Sequence, residues 1–240
     1  MPAPTERRPL VSIIVPVYNE ARTLAAVIRR LGEIDLPADR EIIVVNDGST
    51  DGTGEILAGL RGTPGLTLLE ADRNRGKGHA IRLGLSGARG SIVAIQDADL
   101  ELDPAQLSFL VEPILRGTAN VVYGSRFLAG RPQAPWQTLA ANRFLTALTN
   151  LLFGAAITDM ETCYKVMRTE VARSLALQSN RFEIEPEITA KLLRRGHAIV
   201  ERPVRFDPRS RAAGKKIGWR DGVDAVITLV RIRLSRTAGG

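Results

Sequence analysis

Short runs of aliphatic and β-branched residues recur along this chain. Each ends in a polar loop and is followed by residues at helical spacing, and no other feature restricts the fold as much. VSIIVPV (11–17) reads as a buried strand. NEARTLAAVIRRL follows it, with Asn19 as the expected N-cap and Leu24, Val27, Ile28 and Leu31 on one helical face. EIIVVN (41–46), LTLLE (66–70), SIVAI (91–95) and NVVYGS (120–125) continue the series, with EILAGL, HAIRLGLSGA and PAQLSFLVEPILR as helices between them. Strands that alternate with helices through short loops predict an α/β fold, a mostly parallel sheet covered by helices on both faces. Ligands of such sheets bind at the carboxyl ends of the strands. YNE, NDGSTDGT, NRGKG and QDADLE all fall on that edge.

The second half is less regular. A helix is expected over 137–153 and another over 186–195, with TDMETCYKVMR unassigned between them. HAIVERPVRF reads as an edge strand because Pro203 lies inside it. DPRSRAAGKKIG is a basic loop. WRDGVDAVITLVRIRLSR is a last helix, with Trp219, Val223, Val226, Ile227, Val230 and Leu234 on one face.

Charge narrows the partners. The chain carries a formal +7 and a pI near 10.1, which suits nucleic acid, a phosphorylated ligand or an anionic membrane surface. Its aromatic residues are few and scattered, whereas a nucleic-acid module interleaves them with basic residues on one face, so no nucleic-acid partner is expected. The one cysteine, Cys163, allows no internal disulfide and suits a reducing compartment as a packed small hydrophobe. MPAPTERRPL has no apolar h-region, so no leader is expected. The longest uncharged run, Phe144 to Thr158, is short of the ~20 apolar residues of a spanning helix.

SIVAIQDADLELDP ends a strand in Asp97, Asp99, Glu101 and Asp103. Mutual repulsion makes such a cluster costly unless a cation or a hydrogen-bonding ligand sits among the charges. If the segment stays extended, residues i and i+2 point the same way, and Asp97, Asp99 and Glu101 share one cleft. Hard oxygen ligands of this kind suit Mg²⁺ or Mn²⁺ held jointly with substrate phosphates. The alternative is a solvated acidic turn that caps the helix after Pro104.

VSIIVPVYNE, VVNDGSTDGT, NRGKGHA, QDADLE and YGSR, in this order, resemble the family 2 glycosyltransferases of GT-A fold, a Rossmann-like architecture. TDMETCYKVMR and GKKIGWRDG extend the resemblance toward the dolichol- or polyprenyl-phosphate hexose synthases, over about residues 10 to 235. The resemblance implies a lead-in over 1–9, a catalytic domain over 10–217 and a carboxyl-terminal amphipathic helix and tail over 218–240. It implies that Pro16, Tyr18 and Glu20 line a nucleotide pocket, that Asp47 hydrogen-bonds the base and that Lys77 approaches the ribose and diphosphate. Asp97 would face the nucleotide, and Asp99 with Glu101 would hold Mg²⁺ or Mn²⁺; many mannosyl members carry glutamine where Glu101 stands. Arg126, Arg143 and Arg209 or Arg211 resemble a clamp on the acceptor phosphate, with Lys215 and Lys216 in the same loop, a lid ordered by phosphate. A planar guanidinium suits that role because it grips phosphate oxygens bidentately.

The implied reaction is an inverting transfer of a hexose from a sugar nucleotide to a polyprenyl phosphate. NRGKGHAIRLG looks closer to glucosyl than to mannosyl members and favours UDP-glucose over GDP-mannose. A phosphate acceptor is already ionised and needs no base, so Asp97, Asp99 and Arg126 would carry catalysis by position and charge. A hydroxyl acceptor would need a carboxylate base, for which Asp159 is the candidate. A non-catalytic sugar-nucleotide-binding subunit is the other alternative. His79 stands beside the glycine-rich loop with or without a role at the diphosphate. Glu183, Glu185 and Glu187 surround Pro186, with Glu185 placed by the resemblance near the cleft. The expected location is cytoplasmic, with the 137–153 and carboxyl-terminal helices touching the inner face of an anionic membrane.

Overall fold

The computed structural model describes residues 8–208 and 219–235. Arg209, Arg211, Lys215 and the expected phosphate-ordered lid lie outside the described residues. Seven strands form one sheet among those described: β1 (Leu10–Val17), β2 (Asp39–Asn46), β3 (Leu66–Glu70), β4 (Ile92–Ile95), β5 (Val121–Ser125), β6 (Lys165–Arg168) and β7 (Val200–Pro203). Their spatial order is β3-β2-β1-β4-β6-β5-β7. β6 runs antiparallel to both β4 and β5, and the other pairings are parallel.

Side chains alternate across β1 and divide the core. Val11, Ile13, Val15 and Val17 join one cluster with helices α1 (Leu24–Glu33), α2 (Thr53–Gly59) and α4 (Leu107–Leu115). Ile14 faces the other layer with Ile43, Val45 and Val93, beneath α3 (Lys77–Gly87), α6 (Thr169–Ser174) and α7 (Ile184–Arg194). Leu110 on α4 is fully buried, and truncating such a leucine to alanine costs about 2–5 kcal/mol. Gly84 lets α3 lie close on the sheet, since a Cβ there would come within 2.5 Å of Ile14 Cγ2. That contact fixes the height at which the amino end of α3, with Lys77, meets the strand ends.

A third cluster joins α7 to α5 (Trp136–Phe153) and α8 (Trp219–Leu234) through Leu145, Met160, Ala190, Ala225, Leu229 and Ile232. The opposite faces of α5 and α8 remain apolar and open to solvent: Trp136, Phe144 and Leu151 on one, Val223, Ile227, Val230 and Leu234 on the other. The stripe expected to define the face of α8 is therefore largely the outward one.

Three local expectations are corrected. β6 was not anticipated, because Lys165 is wholly buried inside it and breaks the apolar pattern; Val166 and Met167 nonetheless enter opposite clusters. Asn19 does not cap α1. It adopts φ 55, and its Oδ1 accepts from the Thr50 amide at 2.7 Å, so it ties the β1 loop to the β2 loop while α1 starts after Thr23. Finally, the acidic stretch is not extended. β4 ends at Ile95 and the chain turns, with Leu100 at φ 61. Pro203 stands on an edge strand, as its missing donor requires.

Candidate active site

The loops after β1, β2 and β4, the amino end of α3 and the residue after β5 open on one cavity of about 1170 Å³. Pro16, Tyr18, Glu20, Asp47, Lys77, Asp97, Asp99, Glu101 and Arg126 all line it. Arg143 does not: it is exposed on α5, with its guanidinium 5.6 Å from the Phe127 ring, and Phe127 and Asn142 supply the wall there.

Two loops hold one side of the cavity in shape. The Glu20 amide donates to Thr53 Oγ1 at 3.0 Å and the Ala21 amide to Asp51 Oδ2 at 3.2 Å. Asp47 is almost fully buried, and its Oδ2 accepts from the Arg75 and Gly76 amides at 3.0 and 2.6 Å, which pins the glycine-rich loop. Gly76 is required there, because it sits at φ 103 and a Cβ would lie 2.5 Å from the Asn180 carbonyl oxygen. Asp47 Oδ1 has no hydrogen bond among the described residues. His79 Nδ1 stands 3.4 Å from it, close enough for electrostatic contact but out of hydrogen-bond alignment.

Lys77 anchors a buried ladder of charge. Its Nζ lies 2.8 Å from Asp97 Oδ1 and 2.9 Å from Glu185 Oε1, and the other Glu185 oxygen meets Lys165. Lys165 also donates to the Met160 and Thr162 carbonyls. Burial opposes the charge on Lys77, but Asp97 and Glu185 outweigh it and hold the ammonium above its ordinary range. Burial likewise opposes ionised Glu185, and the two lysines more than offset it, leaving its carboxyl below the ordinary value. Asp97 is thus held by Lys77. Cys163 lines the same cavity, and burial followed by the Asp97 charge pushes its thiol up, so it stays a neutral packing group.

The turn after β4 brings Asp99 and Glu101 to the cavity, with the Glu101 amide donating to Asp99 Oδ1 at 3.1 Å. Asp103 does separate work: its side chain accepts from the Ala105 amide and caps the turn at Pro104–Gln106. Two cavity-lining carboxylates make a donor set of hard oxygens, and no group of three or more potential metal ligands forms among the described residues. That set fits Mg²⁺ or Mn²⁺ shared with a diphosphate and water rather than a cation enclosed by protein.

Arg126 meets the cavity from the end of β5. Its Nε and Nη2 donate to the two oxygens of Asp159, each at 2.7 Å, and its amide donates to Oδ2 at 3.0 Å. Burial works against the guanidinium charge, and the hydrogen bonds and charge of Asp159 more than restore it. Asp159 has no exposed surface, and its own amide is held by Glu201 Oε1 at 3.0 Å. Both of its oxygens are engaged, so it positions Arg126 and is not placed to take a proton from an acceptor. Sequence reasoning did not find Glu161, which lines the cavity with one oxygen unpartnered, nor the pairing of Lys165 with Glu185. No periodicity could have found Glu161: it lies in a turn between Asp159, which has no exposed surface, and β6, and only the folded turn carries it to the cavity.

A mostly parallel sheet with one reversed strand, and loops that gather carboxylates, a lysine and an arginine beyond its strand ends, define a glycosyltransferase of GT-A fold. The model of glycosyl transferase family 2 matches residues 12–176, and the chain belongs to that family. It is 31% identical over 235 residues to undecaprenyl-phosphate mannosyltransferase of Micrococcus luteus, covering 92% of this chain and 93% of that protein. It is 28% identical over 231 residues to polyprenol monophosphomannose synthase of Mycolicibacterium smegmatis, covering 90% and 83%. Glycosyltransferase AglD of Haloferax volcanii is 30% identical over 225 residues, but the chain spans only 36% of that protein. Glucosyl-3-phosphoglycerate synthase from Mycobacterium tuberculosis, solved with Mn²⁺, UDP and glucosyl-3-phosphoglycerate, shares the fold with a TM-score of 0.72 at 20% identity, over 97% of this chain and 82% of that one.

Proposed function

We propose that this chain transfers a hexose, with inversion, from a sugar nucleotide to a polyprenyl phosphate. The observation that carries the reading is the pairing of Arg126 with a fully buried Asp159 on the wall of the cavity that also holds Asp99 and Glu101. A guanidinium fixed in this way suits an anion, and a phosphate nucleophile dispenses with the base that Asp159 is not placed to be. The names of the Micrococcus luteus and Mycolicibacterium smegmatis relatives support the same acceptor class.

In the proposed reaction a phosphate oxygen of the acceptor forms a bond to the anomeric carbon as the bond from that carbon to the diphosphate breaks. The nucleoside diphosphate leaves with the electron pair. Asp47 offers Oδ1 to the base. Lys77, held by Asp97 and Glu185, faces the diphosphate end of the donor. Arg126 holds the acceptor in line, so that positioning lowers the barrier. Asp99 and Glu101 would hold a divalent cation, which when bound neutralises charge that develops on the leaving diphosphate.

The acceptor is a lipid, and the protein meets it at a surface. Among the described residues no helix is long and apolar enough to cross a membrane. The outward faces of α5 and α8 carry Trp136, Phe144, Leu151, Val223, Ile227 and Leu234, and Arg220, Arg231 and Arg233 are exposed beside them. Apolar side chains flanked by arginines suit peripheral contact with an anionic bilayer. Ala141, Leu145 and Gly222 belong both to this surface and to the cavity wall, a continuous route for the lipid.

The test incubates the protein with Mn²⁺, undecaprenyl phosphate and either UDP-glucose or GDP-mannose, and follows the lipid by mass spectrometry. The loop NRGKGHAIRLG favours the first donor and the names of the two long-matching relatives the second, so both are presented. A hexose-sized gain that EDTA abolishes is the expected result. Donor binding without a lipid product from either donor would overturn the reading.

A further inference from the structure

Glu161 is an ionisable group of the cavity wall with no task so far. It stands in TDMETCYK two residues beyond Asp159 and lines the cavity with Arg126. Its Oε1 is buried and has no hydrogen-bond partner among the described residues. A carboxylate so placed is costly as an ion unless a cation or donor reaches it. Neither nearby cation hydrogen-bonds that oxygen: Arg126 directs Nε and Nη2 to Asp159, and Lys165 meets Glu185 and two carbonyls.

Charges face Glu161 from every side. Glu185 on α7 and Asp159 on its own segment oppose ionisation, while Lys165 on β6 and Arg126 after β5 favour it. Lys77 and Asp97 stand behind Glu185. Burial, then Glu185, push the Glu161 carboxyl up to about 7, so protonated and ionised forms coexist near neutral pH. A phosphate brought to Arg126 adds negative charge beside it and tips the balance to the neutral acid.

We propose that Glu161 reads the acceptor as a neutral acid, donating a hydrogen bond to an oxygen of the phosphate held at Arg126. This rests on the phosphate-acceptor reading above. The O–H stays on Glu161 throughout, no covalent step is involved, and above neutral pH each acceptor bound draws one proton from solvent. The site therefore prefers a phosphate monoester, which accepts such a bond, to an acceptor that presents only donors to a carboxylate.

The experiment measures kcat/KM for farnesyl phosphate from pH 6.5 to 9 in the intact protein and in Glu161→Gln, with nucleoside diphosphate affinity measured alongside. The second ionisation of a phosphate monoester lies near 6, so above about pH 7.5 the acceptor itself no longer titrates. Proton uptake by Glu161 then makes the wild-type value fall about tenfold per pH unit. Glu161→Gln keeps a neutral N–H donor that cannot titrate, so its turnover is expected to persist, at whatever level, with a flat profile over the same range. Loss of turnover in Glu161→Gln, with nucleoside diphosphate affinity and melting temperature unchanged, would overturn the proposal and make Glu161 a base. A wild-type profile as flat as that of the variant would overturn it too. If the wild type ignored farnesyl phosphate and glycosylated a hydroxyl acceptor, the acceptor reading would fall and this proposal with it.

Discussion

Replacing Asp159 by Asn separates a positioning carboxylate from a catalytic base. In the wild type Asp159 Oδ2 accepts from Arg126 Nε and from the Arg126 amide, and Oδ1 accepts from Nη2. An asparagine best keeps its carbonyl at the Oδ2 position, which preserves two bonds and turns an amide N–H₂ toward the Nη2 donor. One charge-assisted bond, about 1.5–3 kcal/mol, is replaced by opposed donors, and Arg126 loses its counter-charge. Breaking a buried pair by removing one partner costs about 3–5 kcal/mol. Arg126 keeps 14% of its side-chain surface open to the cavity, and water there lessens the loss, so we expect about 3 kcal/mol. For a chain of this size that lowers the melting temperature by about 6–12 °C. Urea unfolding should show a lower midpoint with unchanged slope, and turnover should show a raised KM for the prenyl phosphate with unaltered donor affinity. A base at this position makes the opposite prediction: intact stability and donor binding with a collapse of kcat. A shift in melting temperature below about 2 °C would refute the reasoning about the buried pair.

Three further outcomes follow from the same geometry. Asp99→Ala should abolish EDTA-sensitive turnover and weaken Mn²⁺-dependent donor binding, read by calorimetry with and without the metal, while the melting temperature stays within a few degrees. Glu185 is held below its ordinary value of 4.5 by Lys165 and Lys77, so its contribution to stability is complete above that value and is lost as pH falls through the lower folded value. Urea titrations of wild type and Glu185→Gln should therefore differ most at neutral pH and converge only as pH falls below that depressed folded value. Ile227→Asp together with Leu234→Asp alters two exposed positions on α8, so it should leave stability within about 0.5 kcal/mol per site yet reduce sedimentation with phosphatidylglycerol vesicles several-fold.

Much of the sheet was legible because its outer logic is local. The runs at 13–17, 42–45, 92–95 and 121–123 are apolar on both faces, as strands covered by helices must be, and Pro203 marked the edge. β6 escaped because its first residue is a lysine whose burial depends on Glu185, twenty positions on. Asn19 read as a cap because a side-chain acceptor before a helix usually is one; here a contact across the loops, to the Thr50 amide, competes successfully. Asp97, Asp99 and Glu101 reach one cavity through a turn at Leu100 rather than by strand alternation, which period-2 reasoning cannot see. The site was legible where several motifs ended on the same sheet edge. The distinction between Asp159 and Glu161 was not, since it turns on which carboxylate Arg126 selects once the chain is folded.

The central claim is that the nucleophile is a phosphate. A single-turnover assay with sugar-labelled donor, Mn²⁺ and equal concentrations of farnesyl phosphate and farnesol in one mixture tests it most directly. The account predicts label in the phosphate product alone, as an acid-labile glycosyl phosphate. Label in farnesol, or transfer to an added sugar hydroxyl in preference to the phosphate, would contradict it.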